Sequence, residues 1–200
     1  YGGRPADLRE FRALAKKHKL VFIEDAAQAL GSEYRGKPMG TQADMTMFSF
    51  HPVKSITTGE GGSITTNNKQ FYERLLKLRS HGIFKDKDGT NVMTELGYNY
   101  RLTDIQAALG LSQLRKLNKF IKRRKEIASI YNQELSHLDE IILPREKPPA
   151  ESAWHIYCIR LKDYKKRSKV FRKLREANIG TQVHYLPVYK HPYYRGLFGN

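Results

Sequence analysis

Apolar residues recur at helical spacing in two segments of the first half of the chain. Residues 5–18 and 68–82 both show this spacing, and we expect amphipathic helices there, the second ending at Gly82. Short apolar runs predict three strands, at 20–25, 43–50 and 61–67. The first run is nearly continuous, so we expect that strand to be fully buried. Helices that alternate with buried strands indicate an α/β layered fold.

The second half of the chain begins with a polar stretch and a strong signal for the start of a helix. Residues 83–101 look like a loop, and Thr103 followed by Gln106 forms a capping box. The apolar spacing beyond it is sustained, so we expect one uninterrupted helix from Thr103 to about Leu135, roughly 50 Å long. A helix of that length usually joins two domains or lines an oligomer interface.

A proline-rich linker at 143–153 separates this helix from a second pattern of strand, helix and strand. The pattern places a strand at 154–161, a helix that ends at Gly180, and another strand at 181–187. It predicts a second, smaller α/β unit, and the chain ends at Asn200 before that unit looks complete.

Two residues of opposite charge fall at the carboxyl ends of predicted strands, where open α/β sheets bind their ligands. These residues are Asp25 and Lys54. A lysine in such a place can bind phosphate, pair with a carboxylate, or form a Schiff base with an aldehyde. Pyridoxal phosphate needs a lysine for its aldehyde and a carboxylate for its ring nitrogen. An ion pair between Lys54 and Asp25 without a cofactor explains the spacing equally well.

The formal net charge of +16 raises the question of an anionic partner. Nucleic acid is one such partner, but no helix-turn-helix, zinc-finger or RNP motif accompanies the basic segments. A phosphate-rich small molecule accounts for the same sign of charge. Cys158 is the only cysteine, which excludes an internal disulfide and favours a reducing, cytoplasmic setting. No apolar run approaches the ~18 residues typical of a membrane helix.

Five motifs in a fixed order resemble those of the nucleotide-sugar aminotransferases called the DegT/DnrJ family. The resemblance extends over nearly all of the chain and implies an α/β fold of the aspartate-aminotransferase type, with a mostly parallel sheet, flanking helices and a small C-terminal domain. Among members, those that serve pseudaminic acid biosynthesis are the most similar. The motifs are EDAAQALG (24–31), FSFHPVK (48–54), TTGEGG (57–62), HG (81–82) and LGYNYRLTDIQAALGLSQL (96–114).

The resemblance assigns pyridoxal phosphate as cofactor and gives roles to four residues near the first two motifs. Lys54 matches the lysine that forms the Schiff base and moves the proton between the substrate carbon and the C4′ carbon of the cofactor. Asp25 matches the residue bonded to the pyridine nitrogen, and Gln28 the side chain near the 3-hydroxyl. Ser49 matches a phosphate-binding hydroxyl, although its alternation with two phenylalanines also fits a residue that merely faces away from the core.

The resemblance also assigns residues farther along the chain. Asn99 matches the residue offered to the cofactor phosphate of the neighbouring subunit, which implies a homodimer with shared active sites; a simple turn residue is the alternative. His184 and Tyr185 match positions that contact the nucleotide sugar, although His184 also fits an ordinary strand histidine. His51 is expected close to the cofactor, in an undefined role.

The implied reaction moves an amino group from glutamate to the C4 ketone of a nucleotide-linked 4-keto-6-deoxy sugar. A sugar dehydratase of the same family is an alternative, but such relatives carry histidine at the position of Lys54; a basic nucleic-acid-binding fragment is another. Family members are much longer than this chain, so we expect a fragment that lacks part of the site. Residues 1–120 would be the C-terminal part of the large cofactor domain, and 121–200 a linking helix with an incomplete small domain.

Overall fold

The computed structural model describes residues 1–199, which form two compact units. The first comprises Tyr1–His137 and Leu143–Cys158, and the second comprises Leu138–Ile142 with the chain from Ile159 onward. Each unit is described by itself. The predicted division into a large and a small domain at residue 120 stays a prediction.

The described residues contain six α-helices and ten short strands. The helices are α1 (Leu8–Lys17), α2 (Lys69–Arg79), α3 (Asp104–Leu114), α4 (Leu117–Leu135), α5 (Arg167–Glu176) and α6 (Pro192–Phe198). The strands are β1 (Ile23–Asp25), β2 (Glu33–Tyr34), β3 (Lys37–Pro38), β4 (Met45–Ser49), β5 (Gly62–Thr65), β6 (Ile83–Lys85), β7 (Asn91–Met93), β8 (Ile141–Ile142), β9 (Ala150–Glu151) and β10 (Arg160–Leu161).

The central sheet of the first unit has the order β1-β4-β5. β1 and β4 run parallel, with Asp25 opposite Met47, and β5 is antiparallel to β4. The other paired strands of the described residues are antiparallel. Because β1 and β4 point the same way, their carboxyl ends lie at one edge of the sheet, which is where the predicted site residues cluster.

The expectation of a fully buried first strand is wrong. β1 is only three residues long, and it alternates: Ile23 and Asp25 are exposed while Glu24 is buried. Side chains of successive strand residues point to opposite faces, so a strand with one covered face alternates whatever its hydrophobicity. The continuous apolar run in the sequence did not reveal that one face of this sheet is open in the described residues.

The other face of the sheet packs into the core of the first unit. Phe48 from β4 is 5% exposed and clusters with Leu8 of α1 and Tyr34 of β2. The N-terminal ends of the central strands are held by Asp44, whose carboxylate accepts the Phe22 N–H at 2.8 Å and a bond from Arg12. These two donors lower the pKa of Asp44, the backbone N–H most strongly. The covered face therefore fixes how β1 and β4 lie beside each other.

The two helices of the first half form close to their predicted positions. α2 begins after Asn68, whose side chain accepts the N–H groups of Gln70 and Phe71, an N-cap that satisfies otherwise unpaired donors. It ends before Gly82, which has φ of +69° and donates to the carbonyl of Lys77 at 2.8 Å. Cap chemistry thus determined both ends of α2, of which the sequence indicated the stop at Gly82.

The single long helix predicted from residue 103 onward is wrong, although its start is correct. The capping box between Thr103 and Gln106 is present at the start of α3. After Leu114 the N–H of Lys116 donates to the carbonyl of Gln113, three residues back, at 2.9 Å. This tighter turn interrupts the α-helical hydrogen bonds before α4 begins. An apolar period that continues through a break gives no warning of it.

Two segments predicted to lack regular structure contain strands. Within 83–101, β6 and β7 form a hairpin whose turn is closed by Asp86, the carboxylate of which accepts the N–H groups of Asp88 and Thr90. Within the linker at 143–153, β9 pairs with β2. The end of that linker is therefore built into the sheet of the first unit.

The second unit has less strand than the sequence predicted. Of the predicted strand 154–161, only Arg160–Leu161 (β10) pairs, with β8. Residues 181–187 form no strand in the described part of the chain, so that prediction is wrong. Strand-forming side chains need a partner strand, and none lies beside this segment in the structure. The predicted helix is present as α5, preceded by a short 3₁₀ turn.

None of the helices in residues 1–199 combines the length and apolar character that crossing a bilayer requires.

Candidate functional site

The carboxyl edge of the central sheet brings together the residues predicted from the first two motifs. Asp25 ends β1, and Ser49 ends β4. Asp25 lies opposite Met47, and Met47 and Ser49 are two residues apart, so Asp25 and Ser49 are on the same face of the sheet. This is the open face. Gln28 follows in the turn after β1, and Lys54 in the loop after β4.

The carboxylate of Asp25 has one oxygen committed and one available. Oδ1 accepts the N–H of Ala27 at 3.0 Å, which fixes the orientation of the side chain. Oδ2 has no hydrogen bond or ion pair among residues 1–199. The backbone beyond it is anchored because the Ala26 N–H donates to the carbonyl of Met47 at 2.9 Å. The strand end thus presents an oriented carboxylate oxygen that can accept one more donor.

Lys54 lies in a tight turn immediately after β4. Its N–H donates to the carbonyl of His51 at 3.0 Å, and its side chain is half-buried. In the described part of the chain the ammonium group has no carboxylate partner. The alternative of a Lys54–Asp25 ion pair is therefore not what the structure contains.

The loop that carries Lys54 is closed at its base and across its middle. The carbonyl of Phe50 accepts the N–H of Thr58 at 3.0 Å, and the Phe50 N–H donates to Gly61 at 2.8 Å. The imidazole of His51 accepts the N–H of Val53 through Nδ1 at 3.3 Å. Its Nε2 lies 3.8 Å from the carboxylate of Glu60 on the other side of the loop. His51 therefore helps to hold residues 51–60, the lysine loop, in shape. Its expected position close to a cofactor stays a prediction.

Gln28 and Ser49 are only partly engaged. The side-chain carbonyl of Gln28 accepts the N–H of Gly2 at 2.7 Å, which leaves its amide nitrogen as the group able to donate to a ligand. The hydroxyl of Ser49 accepts a long bond of 3.4 Å from the His51 N–H. Its own proton remains available to an anion. Their proposed contacts to a cofactor stay predictions.

Asn99 lies elsewhere in the first unit, on an exposed segment that runs beside the end of α2. It forms an isolated antiparallel bridge with Ser80, and the rings of Tyr98 and Tyr100 on either side of it stack with centroids 4.9 Å apart. The segment is thus held by backbone bonds and is more than a free turn. The structure does not place Asn99 among the Asp25 and Lys54 group, and its role toward a neighbouring subunit stays a prediction.

His184 and Tyr185 belong to the second unit. The ring of His184 meets that of Tyr185 edge to face, with centroids 4.4 Å apart. The Nδ1 atom of His184 is buried without a hydrogen-bond partner in the described residues. The alternative of a strand histidine bonded to a carbonyl is therefore not what the structure contains. Contact of this pair with a nucleotide sugar stays a prediction.

One buried carboxyl beside the site was missed by sequence reasoning. Glu24 precedes Asp25 and points to the covered face, where its carboxyl lies 3.3 Å from the hydroxyl of the fully buried Thr46. Burial raises the pKa of Glu24, against which the bond from Thr46 acts only partly. Period-two alternation along β1 was the available signal, since it separates the two adjacent carboxylates onto opposite faces.

The chemistry of this edge suits an aldehyde cofactor with a basic ring nitrogen better than a metal ion. No cluster of three or more His, Cys, Asp or Glu side chains able to hold a metal occurs in residues 1–199. The edge instead offers one ammonium, one carboxylate oxygen and one hydroxyl, each able to form a further hydrogen bond. Pyridoxal phosphate requires these three kinds of group, so the residues present fit it.

Comparison with known proteins identifies the family of the chain. A curated relative named UDP-4-amino-4,6-dideoxy-N-acetyl-beta-L-altrosamine transaminase, from Campylobacter jejuni strain 81-176, is 44% identical over 201 residues, with 100% of this chain and 54% of the relative covered. The structure of PseC from Helicobacter pylori, an aminotransferase of pseudaminic acid biosynthesis, matches with a TM-score of 0.94 at 35% identity, with 100% of this chain and 54% of that one covered.

A sugar aminotransferase from Streptococcus pneumoniae, Spr1654 in its PMP form, matches with a TM-score of 0.89 at 30% identity, with 97% of this chain and 56% of that one covered. The fold class expected from the motifs is thereby confirmed. The chain spans about half the length of these relatives. The model of the DegT/DnrJ/EryC1/StrS aminotransferase family matches residues 1–200, and the chain belongs to that family.

Proposed function

We propose that the protein of which this chain is a part is a pyridoxal-phosphate-dependent aminotransferase. It takes the amino group from glutamate and delivers it to the C4 ketone of a nucleotide-linked 4-keto-6-deoxy sugar. The observation that carries the proposal is the unpaired Lys54 ammonium at the sheet edge where Asp25 holds out a free carboxylate oxygen. The names of the similar proteins, which are transaminases or aminotransferases, support it and do not favour a dehydratase or a nucleic-acid-binding role.

Each residue of the edge has one defined task in this proposal. The cofactor, when bound, supplies an aldehyde for the lysine and a ring that draws electrons from the bond to be broken. Lys54 Nζ would bind that aldehyde with loss of water and, once an incoming amino group displaced it, would carry the proton between the substrate carbon and C4′. Asp25 Oδ2 would accept the N–H of the ring nitrogen and keep it protonated. Ser49 donates to the phosphate, and the Gln28 amide donates to the 3-oxygen.

The substrate assignment is supported by the relatives. The Campylobacter jejuni relative is named as a transaminase of a UDP-linked 4-amino-4,6-dideoxy sugar, and PseC is described as an aminotransferase of pseudaminic acid biosynthesis. In the second unit, the edge-to-face rings of His184 and Tyr185 offer an aromatic surface against which a sugar or base could pack. The cytoplasm, where nucleotide sugars and glutamate meet, is the proposed setting.

A homodimer is part of the same proposal and is supported by the surface of α3. This helix carries one charged residue, Asp104, and buries none of its side chains in the described structure. Ile105 is 84% exposed, and Leu109, one turn later on the same face of the helix, is 42% exposed. An uncharged apolar helix face favours contact with a second copy. The exposed Asn99 precedes this helix, in a place from which it can reach a neighbouring subunit.

The lysine assignment is tested by adding pyridoxal phosphate to the whole protein of which this chain is a part. We expect a visible absorbance band that borohydride removes, with the label on Lys54 in peptide mass spectra. Lys54→Ala removes the band. Lys54→Arg keeps the charge and also removes it, which separates covalent attachment from simple phosphate binding. The matched control Lys37→Ala, an exposed lysine of β3, keeps the band.

A borohydride-reducible adduct that still forms in Lys54→Ala contradicts the site. The dimer is tested separately by sedimentation. We expect Ile105→Asp to yield monomers and the control Gln70→Asp, an exposed polar position of α2, to remain dimeric. A wild-type chain that is monomeric at all concentrations contradicts the homodimer.

A further inference from the structure

Gln106 uses both ends of its side-chain amide, each toward a different part of the chain. Its oxygen accepts the N–H of Thr103 at 3.0 Å, within the capping box of α3. Its nitrogen donates to the main-chain carbonyl of Glu60 at 2.9 Å, across 46 residues of sequence. The second bond leaves the helix and reaches the loop that carries Lys54.

The capping box alone does not explain a glutamine at this position. Glu and Gln serve equally well as the third residue of a capping box, since both supply the oxygen that accepts the N-cap N–H. Only Gln also supplies an N–H donor. A carboxylate at 106 would face the Glu60 carbonyl oxygen with no proton between them. The choice of amide is therefore explained by the loop and by nothing within the helix.

Close approach on both sides of this bond indicates that α3 is seated on the loop. One helical turn after Gln106, a Cβ at Gly110 would lie 2.9 Å from the methyl group of Thr58. Before the helix, the side chain of Leu102 comes within 2.9 Å of where a Cβ at Gly61 would stand. Gly61 and Gly110 therefore allow α3 to pack closely against the loop, and the hydrogen bond from Gln106 to Glu60 lies between these two contacts.

The contact between α3 and the lysine loop lies at the base of that loop. The hydroxyl of Thr58 donates to the Glu60 carbonyl at 2.7 Å, so this one oxygen receives two donors. The carboxylate of Glu60 faces His51, whose carbonyl accepts the N–H of Lys54. A continuous series of polar contacts therefore connects the start of α3 to the turn that holds the lysine.

We propose that Gln106 is a positioning residue that clamps the loop 51–60 to α3 and thereby fixes the Lys54 ammonium beside Asp25. The statement that Gln106 positions Lys54 rests on the proposed function, because that function makes Lys54 the cofactor lysine. The statement that Gln106 holds the loop against α3 does not depend on the function. Gln106 touches neither substrate nor cofactor in this proposal. It acts through the Glu60 carbonyl.

The test is Gln106→Glu in the whole protein of which this chain is a part, with two readouts. The first is amide hydrogen exchange without cofactor, read at Lys54 and Thr58, whose N–H groups are bonded within the loop. We expect exchange there to become about tenfold faster, as for loss of a hydrogen bond of ordinary strength. The second is the apparent dissociation constant of pyridoxal phosphate from the borohydride-reducible adduct, which we expect to rise about tenfold. Thermal stability should change little, since the cap is kept.

Two matched variants separate the clamp from helix capping and from charge. Gln113→Glu adds the same charge two turns later on the same helix, where no side-chain hydrogen bond is found in the described residues, and should leave both readouts unchanged. Thr103→Ala removes the capping hydroxyl but leaves the amide nitrogen facing Glu60. It should lower thermal stability without selective loosening of the loop.

Each result of these measurements supports or overturns one part of the proposal. Unchanged loop exchange in Gln106→Glu overturns the clamp. Faster exchange with an unchanged dissociation constant overturns the positioning of Lys54. A wild-type whole protein that forms no adduct overturns the proposed function, and the exchange readout then decides the clamp by itself.

Discussion

The two faces of the β1-β4-β5 sheet differ in what they bury. On the covered face, Thr46 and Phe48 are buried in the core, and the carboxyl of Glu24 is buried with them. On the open face, Ile23 is 61% exposed, and Asp25 and Ile64 are exposed beside it. The register places Glu24 opposite Thr46 and Asp25 opposite Met47, so adjacent residues of one strand serve different faces.

The difference shows that the alternation of side chains along β1 and β4 puts the residues that stabilise the fold on one face and the residues available to a ligand on the other. The covered face holds β1 and β4 in register and so sets where their ends lie. The open face carries the available groups of Asp25 and Ser49 at those ends. Substitutions on the covered face should therefore change folding, and substitutions on the open face should change ligand binding. Four variants test this division, in order of expected effect.

Phe48→Ala should give the largest effect. It empties a buried aromatic site and should lower the free energy of unfolding by about 3–5 kcal/mol. Ile64→Ala, on the open face and 47% exposed, should cost less than about 1 kcal/mol. Urea denaturation of both variants measures the contrast. Equal losses would show that the two faces do not differ in packing.

Thr46→Val should have an intermediate effect. The valine keeps the shape but removes the hydroxyl that lies 3.3 Å from the Glu24 carboxyl, which leaves a buried polar group unpaired. We expect a loss of about 1–3 kcal/mol in unfolding free energy. The loss should shrink when Glu24→Gln is combined with it, and a double-mutant cycle gives the coupling. Strict additivity would mean that the two side chains do not interact.

Glu24→Gln should alter how stability depends on pH. Burial raises the pKa of Glu24 in the folded protein, so its protonated form is favoured there. The stability it contributes is greatest below its ordinary value of 4.5 and declines as pH rises from that value through the raised pKa. Relative to Glu24→Gln, the wild type should therefore lose stability as the pH rises above 4.5. A difference that grows toward acid pH has the wrong sign for this account.

Asp25→Asn should have the smallest effect on folding. The amide oxygen can still accept the Ala27 N–H, and the side chain is exposed, so unfolding free energy should change by less than about 0.5 kcal/mol. Affinity for pyridoxal phosphate should fall because the charged partner of the ring nitrogen is gone. A large loss of stability would place Asp25 in the structural group with Glu24.

Local signals in the sequence predicted several features of the fold accurately. The capping box of α3, the N-cap region of α2 and the stop at Gly82 all follow from the bonding of one or two side chains or from one glycine conformation. The family motifs supplied the fold class. Such features depend on a few neighbouring residues, which is why they can be read in a linear sequence.

Features that depend on distant partners were missed. The turn at Lys116 breaks a helix whose apolar period continues through it. The pairing of β9 with β2 and the absence of a strand at 181–187 depend on which segments meet in space. The open face of β1 and the bond from Gln106 to Glu60 are likewise three-dimensional facts. For the site, the sequence identified Asp25 and Lys54 but not the groups that hold them.

The central claim is that Lys54 and Asp25 bracket one pyridine ring. The most direct measurement is a crystal structure of the chain after reduction with borohydride in the presence of pyridoxal phosphate. The account predicts a covalent bond from Lys54 Nζ to the cofactor and an Asp25 oxygen within about 3 Å of the ring nitrogen. A cofactor attached to another lysine, or a ring nitrogen that faces solvent with Asp25 turned away from it, would contradict the account.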